Sequence, residues 1–364
     1  MGGSRRPPVW VNEAAISPLF SDTQWVPIMR KLLPAALLAT LLLPAEAFAE
    51  AWEAKTMRAP LSAREVERPL IIGKGWLEIG IGADVKQSKG YWGPDGAAED
   101  FDDAVWLYTT ESLNVRYGVV RRGEIYWSMP MHYLRLTNER LGTDTSGLFL
   151  GDPRFGYLFE AFRTDAPLTS VVTRIEIKAP AGNETPGSYI AGPGTYSSFV
   201  TTTGTTDALV GLDARRQLGI IGLQGGVHYT YRFSGLVSYL IETESNQFNA
   251  RIQPGFIVDA NFGAILQLGP VALQGGGWVE THDEVRIGTT SPGIFPNQNL
   301  EPVEGSDGWS AGVDAGATIG ATRNIDVVLK THVPLRGEDL MFFPIEDLHP
   351  TRGITYSADL EFRF

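Results

Sequence analysis

The residue types that most often do chemistry are present in this chain, but not at working spacings. His132, His228, His282, His332 and His349 are widely scattered, and no two stand at the i, i+2 or i, i+4 spacing of a metal site. Cysteine is absent, which removes thiol nucleophiles, thiolate ligands and disulfides together. Neither a GxSxG elbow nor an HExxH helix occurs. His228 lies on an alternating segment, yet no neighbouring Ser or Asn completes a barrel-phospholipase triad. The run Asp95, Glu99, Asp100, Asp102 and Asp103 offers oxygen ligands for calcium near lipopolysaccharide headgroups. It lacks the Gly and terminal Glu of a hand-type loop and reads as a solvated acidic loop. Gly276, Gly277 and the Gly192 to Gly204 stretch precede no helix, so they are not phosphate cradles. They are read as permitting sheet coiling or close side-chain approach. No catalytic residue, metal site or cofactor is expected, and no enzyme.

What the charged residues do share is a phase. Glu78, Asp84, Arg116, Glu124, Arg154, Glu160, Arg174, Glu176, Lys178, Asp213, Arg215, Arg232, Arg251, Asp259, Glu280, Asp314, Asp326, Lys330 and Asp359 alternate with apolar neighbours, and His132 and His228 fall on the same phase. Trp76, Tyr126 and Trp278 also fall on it, where a polar group is expected. A register slip, a bulge or interior packing is one account of them; a stacking surface for an aromatic or sugar ring is the other.

Positions repeating every two residues belong to strands, and these strands are long. Ile354, Tyr356, Ala358, Leu360, Phe362 and Phe364 lie on one face of the last strand, with Thr355, Ser357, Asp359, Glu361 and Arg363 on the other. Arg251 to Leu268 reads as alternating without interruption. Soluble strands usually run about five or six residues, whereas a tilted membrane strand needs about 9–11. The pattern predicts strands near 75–86, 105–118, 123–138, 149–162, 168–179, 206–217, 219–234, 249–268, 271–287, 307–321, 324–335 and 352–364. Their joins alternate between tight turns, such as Leu218-Gly219 and Gly269-Pro270, and long loops, such as Pro180 to Thr205. Short periplasmic turns and longer outer loops are what an up-and-down membrane barrel of even strand number requires. The fold class expected is therefore all-β: a transmembrane antiparallel up-and-down β-barrel of twelve strands over residues 75–364.

The composition agrees. The 364 residues carry a formal charge of −12, which argues against nucleic acid as a partner. Arg30 and Lys31 precede the apolar run Leu32 to Leu43, and Ala47-Phe48-Ala49 is a small-x-small cleavage site. Residues 29–49 are thus read as a signal peptide with Glu50 as mature N-terminus, and 1–28 as an over-extended start. Residues 50–74 become a periplasmic lead-in, able to enter the lumen as a plug because Leu70 to Ile72 is apolar.

The register assigns aliphatics to lipid, with Tyr117, Tyr133, Tyr157, Tyr231, Phe233, Phe362 and Phe364 as girdle candidates. Strand spacing and a tilt near ~40° give a twelve-strand cylinder roughly 24 Å across, leaving a hole of about 10 Å or less between long inner side chains. Such a hole admits a sugar, a nucleoside or a substituted aromatic, and is narrow enough for paired charges to close it.

Glu67-Arg68-Pro69-Leu70-Ile71-Ile72-Gly73-Lys74-Gly75, Leu150-Gly151-Asp152-Pro153-Arg154-Phe155-Gly156, Ile177-Lys178-Ala179-Pro180-Ala181-Gly182-Asn183, Gly192-Pro193-Gly194-Thr195 and Leu212-Asp213-Ala214-Arg215 together resemble an outer-membrane transporter-like barrel family associated with the meta-pathway of phenol degradation. That family's loop has Pro-Thr-Gly where this chain has Pro-Ala-Gly. The resemblance implies passage of small, rather hydrophobic compounds, aromatic ones among them, and it brings no catalytic residues. Leu360, Phe362 and Phe364 at the terminus resemble the signal read by barrel-assembly machinery.

The sequence therefore points to a monomeric bacterial outer-membrane channel. Its expected partners are membrane lipid, lipopolysaccharide, the assembly machinery and a small-molecule solute. The competing reading is a non-conducting barrel whose outer loops serve adhesion or envelope structure.

Overall fold

The computed structural model describes residues 62, 64–93, 96–100, 104–138, 143–181, 204–241, 246–288, 300–303, 306–322, 324–338 and 351–364. The signal peptide, the N-terminal extension and most of the Pro180 to Thr205 loop lie outside the described residues, as does part of the Asp95 to Asp103 run. Twelve strands form the barrel wall: β1 (Leu77–Trp92), β2 (Ala104–Val120), β3 (Gly123–Asn138), β4 (Arg154–Asp165), β5 (Leu168–Lys178), β6 (Asp207–Leu218), β7 (Ile221–Arg232), β8 (Ile257–Leu268), β9 (Val271–His282), β10 (Gly308–Gly320), β11 (Ile325–Glu338) and β12 (Thr351–Arg363). Each pairs antiparallel with its sequence neighbour, and β1 pairs with β12 from Glu78↔Arg363 onward, so the sheet closes on itself. Closure removes the two free edges that a lipid environment cannot satisfy with hydrogen bonds.

All the tight connections lie at one end, the turn end. Two residues suffice between Val120 and Gly123, Asp165 and Leu168, Leu218 and Ile221, and Leu268 and Val271. Gly219 and Gly269 adopt positive φ of 69° and 61°, the conformation that lets a two-residue turn follow strand twist and that a side chain would resist.

Side chains sort by face as the alternation requires. Ile175, Ile177, Leu212, Val227 and Leu360 point outward and are exposed, and Phe262 is 73% exposed, while Glu124, Glu160 and Asp326 are fully buried inside. This inverts the burial order of a soluble protein, and a lipid-facing wall is what makes the inversion stable.

The strand read as running from 249 to 268 is in fact two strands. Asn246–Gln253 belongs to a separate four-stranded sheet at the loop end, with Gly235–Ile241, Arg286–Gly288 and Glu301–Pro302. The ladder breaks at Pro254-Gly255-Phe256: proline has no N–H to donate, and a Cβ on Gly255 would strike the Asp283 carbonyl at 1.8 Å. Both pieces are amphipathic, so alternation ran through the break. Ile252 and Pro254 are buried rather than lipid-facing. Similarly, 149–162 divides into Thr143–Leu150, which continues along β3, and β4 itself.

Candidate functional site in the barrel lumen

The turn end of the lumen is occupied by the chain's own N-terminal segment. Glu65–Glu67 makes a single 3-10 turn, and Arg68 leaves it in an extended conformation (φ −84°, ψ 131°), as a residue before proline must. Two apolar side chains of the segment seat in matching sockets. Val66 packs against Ile265 and Ala272, and Ile71 packs against Leu158 and Val172 with Leu70 and Tyr126 beside it. These wall residues hold inward positions that the alternation would give to polar groups. Burying each plug side chain contributes about 1.5–3 kcal/mol.

Charge pairs surround the sockets. Arg68 and Arg363 both bond the buried carboxylate of Asp326. Arg363 also reaches Glu78 at 2.5 Å, and Arg116 bridges Glu78 and Glu124 at 2.8 Å each. Arg215 donates to Glu65 at 2.9 Å. The plug backbone joins the same network: Ile72 N donates to Glu124 at 2.7 Å, Arg116 donates to the Leu70 carbonyl at 2.9 Å, and Val66 N donates to Gln267 at 3.3 Å. Buried ions are stable only when hydrogen-bonded partners compensate them, and here nearly every one has two.

Above this floor the lumen opens. A cavity of about 840 Å³ rises from Glu65 and Arg68–Ile72, and a second of about 330 Å³ lies towards the loop end. Both are lined by the same four residues at their junction: Asp259, Trp278, Glu280 and His332. The Trp278 and His332 rings stack there, 4.2 Å between centroids at 17°, and His332 Nδ1 lies 2.7 Å from Asp314. A Cβ on Gly312 would come within 2.6 Å of Trp278, so the indole needs glycine on the adjoining strand. Tyr126 repeats the device over Gly156 and donates to Glu176. On the neighbouring wall Arg174, Asp213, His228 and Asp259 form a chain of polar contacts at 3.3, 3.1 and 2.7 Å.

The residues expected to face inward divide into groups. Glu78, Arg116, Glu124, Arg174, Arg215, Asp259, Glu280, Asp314 and Lys330 line the larger cavity, and Arg154, Glu176, Lys178 and Arg232 line the smaller. Glu160 bonds Ser170 at 2.6 Å, and Asp213 and His228 bond along the wall. His132 lies 2.6 Å from the Tyr108 hydroxyl. Asp84 pairs in register with Ser357, and Asp359 with Gly82.

One residue needs correcting. Arg251 is not in the wall but in the loop-end sheet, where it bonds Ser234 at 2.7 Å, because the strand breaks before it joins the barrel. Trp76 stands just before β1, its backbone N–H donating to the Gly73 carbonyl at 3.3 Å. Tyr126 and Trp278 stand in unbroken register with their neighbours on β4 and β10, so neither marks a slip. The sequence reading missed the sockets Leu158, Val172, Ile265 and Ala272. Their signal was available as apolar residues on the polar phase.

Two of the segments that carry the family resemblance, Leu150 to Gly156 and Ile177 to Asn183, meet in space. Asp152 pairs with Lys178 at 3.3 Å and accepts from Ala181 N at 2.9 Å, while Lys178 also reaches Asp207 at 2.7 Å. Leu360 and Phe364 face outward and are exposed.

No protein-family model matches the chain, and no curated protein matches it in sequence. Among solved structures it is similar to an outer-membrane channel from Pseudomonas putida F1, with a TM-score of 0.58 at 12% identity over 82% of this chain and 98% of that one. It is also similar to the translocator domain of the autotransporter NalP from Neisseria meningitidis, with a TM-score of 0.43 at 9% identity over 79% of this chain and 88% of that one. A TodX monoaromatic hydrocarbon channel gives 0.36 at 9% identity over 79% and 88% respectively. The last two superpose too loosely to carry weight. The closed twelve-stranded wall, its apolar exterior and the first of these likenesses make this fold that of an outer-membrane β-barrel.

Proposed function

We propose that the protein is an outer-membrane channel for diffusion of small organic molecules, closed at its periplasmic end by residues 64–72. The observation that carries this is the pair of cavities along the lumen, about 840 and 330 Å³, which meet at a shared waist and rest on the N-terminal segment. Volumes of about 300–1,000 Å³ suit a small-molecule ligand. The resemblance to the phenol meta-pathway barrels supports solutes that are small and ring-bearing. On this reading there is no catalytic step: the charged and aromatic wall residues orient a solute, and the plug gates its exit. Residues 29–49 would be the signal peptide, and Leu360, Phe362 and Phe364 the signal for the assembly machinery.

The alternative is a non-conducting barrel with a role for its outer loops, and the ion pairs anchoring the plug favour it. Conductance separates the two. The refolded chain in a planar bilayer should open rarely, and a form lacking residues 50–72 should show larger, more frequent openings. No openings in either form would sink the channel reading.

A further inference from the structure

We infer that the turn-end rim of the wall, from β1 to β6, holds the phosphate groups of anionic phospholipids. This surface does not depend on whether the lumen conducts. The chain carries a formal charge of −12, yet the exposed ions at this end are mostly basic. Arg121 and Arg122 are the two residues of the β2–β3 turn, and both are exposed. Arg216 is exposed two residues before the end of β6. Lys74 is exposed between Gly73 and Gly75, whose φ of 80° and 77° turn the chain from the plug into β1, beside Gly118 of β2.

Among the described residues, none of these four side chains makes an ion pair or a hydrogen bond. Other ions of the rim come as neighbours of opposite sign: Arg163 with Asp165 at 2.7 Å, and Arg64 with Glu67 at 2.5 Å. Phe364 brings its main-chain carboxylate beside Leu77, one anion against four cations. The rim therefore carries a positive excess that the chain itself does not balance.

Where the cations stand says what balances them. Arg216 lies on the lipid-facing phase of β6, in line with Val210, Leu212 and Leu218, each about half exposed. Leu223, opposite it on β7, is exposed as well. Val120 and Ile125, on either side of the Arg121-Arg122 turn, also face lipid. A guanidinium held against hydrocarbon is costly, so it is stable at the depth where lipid phosphates begin. At about 3.3 Å of rise per residue, Arg216 stands within roughly 7 Å of the end of its strand, close to the level of the turns. The arginine fork matches the paired oxygens of a phosphate. A soluble acidic partner could meet the turn arginines but not Arg216, which projects from the apolar wall. A lipid phosphate reaches both.

The test uses the full chain refolded in dodecyl maltoside. Tail-labelled phosphatidylglycerol and phosphatidylcholine are the probes, read by fluorescence anisotropy. At about 0.05 M salt phosphatidylglycerol should bind at least about tenfold more tightly, and the gap should shrink at about 0.5 M as the charges are screened. Combining Arg121→Gln, Arg122→Gln and Arg216→Gln should reduce that preference at least about fivefold. Arg336→Gln removes an exposed arginine at the loop end of β11 and should leave it unchanged. Equal binding of the two lipids, an unchanged preference in the triple variant, or an equal loss in Arg336→Gln would overturn the proposal. So would displacement of phosphatidylglycerol by polyglutamate at matched charge, which would assign the surface to an acidic protein. A retained heat-modifiable gel shift reports that each variant has folded. Should the triple variant lose it, Arg121→Gln with Arg122→Gln serves in its place and should reduce the preference at least about twofold; an undiminished preference there removes the rim.

Discussion

The two ends of the lumen use the same residue types for opposite purposes. At the turn end, Arg68, Arg116, Arg215 and Arg363 meet Glu65, Glu78, Glu124 and Asp326 in mutual pairs, most of them deeply buried, and apolar sockets fill the space between. At the waist, carboxylates meet imidazoles and face open cavities. The difference teaches that an inward charge has no fixed role in a barrel. Where a second segment of the chain covers it, the charge becomes a fastening; where none does, it faces an open cavity.

The strongest way to break this contrast is to remove the carboxylate that the plug and the closing strand share. Asp326→Ala leaves Arg68 and Arg363 buried without their common partner, and should cost about 3–5 kcal/mol. The urea midpoint of the refolded barrel would show it; an unchanged midpoint would mean that the network is not a fastening. Ile71→Ala should act more locally. Emptying the Leu158–Val172 socket weakens plug docking by about 2–5 kcal/mol. Amide exchange in residues 64–72 should then accelerate at least tenfold while the strands stay protected. Equal acceleration in both would show that plug and wall open as one unit.

Gly312→Val sharpens the other side of the comparison. A side chain there meets the Val333 carbonyl on β11 as well as the Trp278 ring, so near-ultraviolet circular dichroism should change while exchange in residues 64–72 does not. A simultaneous loss of plug protection would erase the distinction between the two regions. The smallest effect is expected from Arg154→Gln. Arg154 is nearly half exposed in the upper cavity, and its pair with Glu176 should be worth less than about 1 kcal/mol. Thermal unfolding should move by a few degrees at most.

Much of the fold was legible because alternation and loop rhythm are local. The last strand declared its two faces from Ile354 to Phe364; the tight join at Gly269-Pro270 falls where expected, and the one read at Leu218-Gly219 lies one residue on, at Gly219-Ile220. Alternation could not reveal where a strand leaves the barrel. Both sides of Pro254-Gly255 keep the same phase, so only the pairing partners show that Arg251 belongs to another sheet. The site was legible in composition but not in grouping. Glu78, Arg116 and Glu124 were assigned to one face, yet their joint hold on Ile72 and Leu70 depends on three strands and a plug meeting across the lumen.

The sequence by itself determined a twelve-stranded membrane barrel with a charged interior, because a two-residue period and a bilayer's need for closed hydrogen bonding leave few other solutions. Only the tertiary structure decided which charges are spent on each other and which face a cavity. That depends on neighbours across strands and on Val66 and Ile71 finding apolar sockets, relations between residues up to 285 positions apart, as for Glu78 and Arg363, that no local period encodes.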